Sequence, residues 1–212
     1  MTEKKRDLEK MQCRYGGCAR NIEKDSDYCI FHMSFDEKER KGLWNKCMNK
    51  FYEILKNGEG NFKGFVLKNL NLSGMTVEQE IDFSCAEFFG ECVFSSISGL
   101  DREESTNFLN KVNFYFATFN GETYFRWVTF NKNVDFSRAN FNKNTFFEKA
   151  IFNGNAKFTN AQFFNKADFS KIKFNTANFS NVNFKDIVIF SPNEEDLRNG
   201  IPTFNKANFR KI

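Results

Sequence analysis

Four residues near the N-terminus have the types and spacing to hold a metal: Cys13 and Cys18, then Cys29 and His32, a Cys-x4-Cys…Cys-x2-His pattern. Thiolates and a neutral imidazole are the donors that tetrahedral zinc takes, and short paired spacings let each pair fold back onto one ion. Gly16-Gly17 supplies a turn inside the first pair, and His32 is the one histidine of the chain. Four protein donors leave no position for a catalytic water, so the pattern reads as a structural zinc. Unligated thiols in a small apolar patch are the alternative. The segment has few apolar residues to fold around, which favours the ion.

A framework must position this cluster. Beyond Asp36, the residues Leu43, Trp44, Cys47, Met48, Phe51, Ile54 and Leu55 follow three- and four-residue spacing, predicting one amphipathic helix within 35–58 that ends before Asn57-Gly58. Its apolar stripe needs a partner, and the array that follows needs a cover on its first coil. Residues 1–34 then form a charged start and zinc module, 35–58 a capping helix, and 59–212 the array. Cys47 and Cys92 read as core positions, and Cys85 as a corner position.

The array is visible as a period. The chain holds 30 Phe among its 212 residues. From Val112-x-Phe114 onward a small residue precedes Phe by two places, as in Ala139-x-Phe141, Thr145-x-Phe147, Ala150-x-Phe152 and Ala156-x-Phe158. Steps of five and six alternate, then become strict fives through Phe174, Phe179 and Phe184. A helix cannot use this period, because about 5.5 residues turn through about 550° and throw successive rings to opposite faces. In a short extended segment, however, the small residue and the Phe share one face, and a turn then redirects the chain. Four such sides per coil make a solenoid with its rings inside. The extra residue at every other corner should align as two columns of bulges. Phe62, Leu67, Leu72 and Val77 read as a first coil, and Phe83, Phe88 and Phe94 follow. Residues 95–107 break the period as a loop, and 191–201 read as a short helix capped by Ser191.

These residues resemble the pentapeptide-repeat proteins, whose motif appears literally as Ala167-Asp168-Phe169-Ser170-Lys171, Ala177-Asn178-Phe179-Ser180-Asn181 and Ala207-Asn208-Phe209-Arg210-Lys211. The resemblance covers roughly residues 60–212. It implies an all-β solenoid, a right-handed quadrilateral β-helix with Phe stacked along its interior. It also implies two partnerships: some members imitate DNA and bind type II topoisomerases, and members often dimerise through the C-terminal coil.

Composition limits the chemistry further. Once zinc takes His32 there is no histidine left for acid–base work, and no nucleotide-binding or nucleophile-elbow fingerprint appears. A solenoid filled by its own rings leaves no interior pocket, so a non-enzymatic binding scaffold is expected, acting through its outer walls and loops. Net charge is +4, unevenly placed: residues 61–104 carry 3 basic and 8 acidic side chains, and residues 105–190 carry 11 and 5. A basic middle argues against the DNA-imitating reading and keeps direct nucleic-acid binding open as a third. Mixed Asp, Lys, Gln and Asn on the outside do not suit ice binding. Without an apolar leader or a span of about 20 apolar residues, a cytoplasmic protein with reduced cysteines and no membrane contact is expected.

Overall fold

A computed structural model describes residues 12–95, 105–191 and the strand Asn208–Phe209. The chain winds as an all-parallel, four-sided β-solenoid. Wall A starts at Val66–Lys68 and reaches Asn208–Phe209 in seven strands, and wall B runs from Cys92–Val93 to Val188–Ser191 in five. Walls C and D begin at Thr76–Val77 and Ile81–Asp82. The longer strand Ile151–Lys157 runs through the corner they share and joins them into one sheet.

The strand register gives the coil length. Thr123 pairs with Thr145 and Thr145 with Ala167, so one coil takes 22 residues. Glu87 pairs with Thr118 and Cys92 with Thr123, a separation of 31, which places a nine-residue insertion between Phe94 and Phe108. The excursion is narrower than the 95–107 read from the lost period. Thr106 is buried, with its hydroxyl 2.7 Å from the carbonyls of both Leu72 and Phe94, and Asn107–Phe108 is a strand of wall C. Thr106-x-Phe108 is therefore a repeat copy that the sequence pattern overlooked. Residues 96–104 lie outside the described residues, as does the helix expected after Ser191.

The rings converge as expected. Phe83, Phe114, Phe136, Phe158 and Phe179 form one column with centroid spacings of 5.5, 4.9, 5.0 and 4.6 Å. Columns through Phe119, Phe125 and Phe130 stack the same way, and neighbouring columns meet edge to face, as Phe136 meets Phe147 at 82°. Offset stacks and edge contacts are the favoured aromatic geometries, so the square section suits the ring quadrupole as well as ring volume. The small residue two places before each ring is buried beside it, as in Ala117, Ala139 and Ala161.

Two kinds of corner explain the alternating steps. The five-residue steps that start at Phe114, Phe125, Phe136, Phe147 and Phe158 are β-turns: the Phe carbonyl accepts the N–H three residues on, as from Phe136 to Ala139 at 3.1 Å, and the residue before that donor is left-handed. Phe116, Trp127, Arg138, Lys149, Asn160 and Lys171 hold this conformation at φ of 53° to 60°. Six-residue steps turn more widely, and there Asn side chains form ladders between coils. Asn131 donates to Asn107 at 2.7 Å, Asn153 to Asn131 at 3.2 Å, and Asn142 to Asn120 at 2.8 Å. The extra residues thus stand in two columns, as expected. Where the chain changes to strict fives, the strands Ile151–Lys157 and Lys173–Asn178 shift register between Phe152 and Asn155, because the residue of the wide corner has been dropped.

One expectation is corrected at the N-terminal end. The single helix within 35–58 is two, α1 (Phe35–Arg40) and α2 (Trp44–Lys56). Gly42 between them sits at φ +62°, a left-handed conformation that glycine adopts freely and that ends a helix. Ser34 is the N-cap of α1, accepting the Glu37 N–H at 3.3 Å. From α2, Phe51 is fully buried and packs edge-on against Phe62 at 5.0 Å. Cys47 and Cys92 are buried and Cys85 is an exposed corner residue, as expected.

Candidate metal centre

The two ligand pairs are held by two local turns. In the first, the Cys13 N–H donates to the Arg20 carbonyl and the Cys18 N–H to the Tyr15 carbonyl, both at 3.0 Å, around Gly17 at φ +83°. In the second, the N–H groups of His32 and Met33 donate to the Cys29 carbonyl at 3.1 and 3.0 Å, just before α1.

These turns bring all four expected ligands together. One donor atom from each of Cys13, Cys18, Cys29 and His32 lies within 4.8 Å of the others. His32 Nδ1 is 3.3 Å from Cys29 Sγ and 3.6 Å from Cys13 Sγ, and the sulfurs of Cys18 and Cys29 are 3.9 Å apart. A tetrahedron with zinc–sulfur bonds near 2.3 Å and a zinc–nitrogen bond near 2.0 Å has edges of about 3.8 Å between sulfurs and about 3.5 Å to nitrogen. The spacing fits a metal and is far too long for a disulfide; all six cysteines are free.

The imidazole is set for this role from outside the cluster. His32 Nε2 lies 2.9 Å from the Lys63 carbonyl, which only accepts, so Nε2 carries the proton and the Nδ1 lone pair faces the sulfurs. Burial holds the His32 pKa below its usual value, keeping the ring neutral at pH 7. Tyr15 stacks on the ring at 3.9 Å and 3°. The Tyr15 ring also lies directly over Gly64, where a Cβ would have no room. The thiols differ. Burial pushes Cys29 up to about 12. Burial also acts upward on Cys18, but hydrogen bonds from the Arg20 backbone and side chain outweigh it and leave that thiol below its usual value.

The centre is docked on the first coil. Phe31 stacks on Phe65 at 4.3 Å, and the Val66 N–H donates to the Phe31 carbonyl at 2.8 Å. Lys38, fully buried, reaches through the junction and donates from Nζ to the carbonyls of Phe31 (3.2 Å) and Val66. Nothing in the sequence marked Lys38; one lysine in a charged run reads as solvated, and only the packing of α1 buries it.

Burial lowers the Lys38 pKa to about 8, from an ordinary value of 10.5. Below pH 8 both folded and unfolded chains hold the proton, and stability is independent of it. Between about 8 and 10.5 the unfolded chain holds it more tightly, so this group makes stability rise with pH by up to about 1.4 kcal/mol per unit. Urea midpoints at pH 7.5 and 9.5 should show this rise in the wild type relative to Lys38→Met; an equal pH response in the two proteins would refute it.

Residues 104–151 match the family model described as pentapeptide repeats (9 copies). The coils in this stretch are similar to pentapeptide repeats. No curated protein matches the chain. The matched stretch lies within the coils of regular 22-residue register, and the Cys–His cluster lies outside it. No helix among the described residues is long and apolar enough to cross a membrane.

Proposed function

We propose that the chain is a non-enzymatic binding scaffold, a filled four-sided rod whose N-terminal module is held on the first coil by a structural zinc at Cys13, Cys18, Cys29 and His32. The observation that carries this reading is the interior: Phe rings at 0–1% exposure occupy the axis from Phe62 to Phe163, so only outer walls remain for recognition. When bound, zinc would cross-link the two turns of the module. The protein residues do the rest: Lys63 orients His32, and Phe31 and Phe65 dock the module.

The basic middle coils favour a protein over a nucleic acid as partner, because several of their cations are engaged. Arg126 lies over the Phe146 ring at 4.2 Å and pairs with Glu148 at 3.4 Å. Lys149 lies over Trp127 at 4.3 Å, and Lys166 pairs with Asp168 at 3.4 Å. The full chain is expected to carry one zinc by metal analysis and to show no salt-dependent retention on duplex or single-stranded nucleic acid columns. Strong retention at low salt would replace this reading with the nucleic-acid one, and inhibition of topoisomerase supercoiling would replace it with the DNA-imitating one.

A further inference from the structure

Wall D carries a charge order that no other column repeats among the described residues. Its outward residues, one per coil, are Asn61, Asp82, Asn113, Asp135, Lys157 and Asn178, and their vertical order follows from the register pairs. Read from the two ends toward the middle, this column is complementary to itself: Asn61 against Asn178, Asp82 against Lys157, Asn113 against Asp135. The same wall forms a trough of about 730 Å³ that includes Glu80, Lys111 and the exposed Tyr115.

We propose that wall D is a self-association surface, on which a second copy of the chain packs antiparallel about a two-fold axis lying between the walls. That operation inverts the coil order and keeps each column facing itself. Asp82 then meets Lys157 of the other copy twice per dimer, and the Asp135 carboxylate meets the Asn113 amide. A parallel arrangement centred on this column would set Asp82 against Asp82 and Lys157 against Lys157, which like-charge repulsion disfavours. Lys157 is exposed and makes no ion pair with any described residue, so the dimer costs it no existing partner. Tyr115 supplies an aromatic contact near the middle of the patch, where interface energy concentrates. This surface is distinct from the C-terminal coil, and the scaffold reading stands or falls separately from it.

Sedimentation equilibrium of the full chain over a concentration series tests it. The wild type should dimerise, with weaker association at higher salt. Asp82→Lys and Lys157→Asp should each weaken the dimer roughly tenfold or more, because each sets two like-charge pairs face to face. The double exchange Asp82→Lys/Lys157→Asp should restore it, since the pairs are only reversed. Lys157 is exposed, whereas Asp82 is half-buried and its Oδ1 accepts from the Ser84 N–H at 2.9 Å and from Asn113 Nδ2 at 3.0 Å, so far-UV circular dichroism checks that each variant folds. A wild type that stays monomeric, a dimer indifferent to both single changes, or a double exchange that fails to restore it would overturn the proposal.

Discussion

Phe136→Ala is expected to lower the unfolding free energy by about 3–5 kcal/mol, read from urea denaturation. Phe136 stands midway along the axis, stacked at 4.9 Å on Phe114 and 5.0 Å on Phe158, with edge contacts to Phe125 and Phe147. Truncation removes the ring from contacts on four sides. The walls cannot close over the space, because the strand ladders fix their separation, so most of the cavity cost is felt. Phe116→Ala is the comparison: that ring is 46% exposed at a corner, and its loss should change stability by no more than about 0.5 kcal/mol. Equal effects at the two positions would mean that the interior is not the source of stability.

Cys29→Ser, or removal of metal by a chelator, is expected to release the zinc and unfold residues 12–33 while leaving the coils from 112 to 163 intact. Structural zinc in small modules contributes an apparent 10–16 kcal/mol, roughly the whole folding free energy of such a segment. Cys29 is the ligand with most at stake: it is 2% exposed and close to both Cys18 and His32. Docking contacts such as Phe31 on Phe65 are too few to hold the module once its cross-link is gone. Metal analysis with hydrogen exchange by segment reads both parts of the prediction, and Cys85→Ser, at an exposed corner, should leave both unchanged. Full zinc retention in Cys29→Ser, or a module as protected without metal as with it, would refute the structural role.

Much of this was legible beforehand because the information is local. A small residue and a Phe two apart must share a face of an extended segment, and a step of five or six must contain a turn; the four-sided filled rod follows without any long-range knowledge. Cys13, Cys18, Cys29 and His32 were legible for the same reason, since paired spacing and donor type are local properties. Thr106-x-Phe108 was missed because a nine-residue insertion interrupts the count just before it. The break at Gly42 was missed because the charged run 36–41 before it has no apolar residue whose spacing could reveal a change of phase; the apolar stripe begins only at Leu43.

By itself, then, the amino-acid order determined the side-by-side facts: which residues point inward, where the chain turns, and which four atoms could share a metal. Tertiary structure decided what depends on vertical alignment between coils. Only the 31- and 22-residue separations bring Asp82, Asn113, Asp135 and Lys157 into one column, only the Lys63 carbonyl selects the His32 tautomer, and only the packing of α1 buries Lys38. The physical reason is that a repeat specifies its own cross-section through short-range sterics, whereas contacts between coils depend on residue counts accumulated over a whole turn, including every insertion along the way.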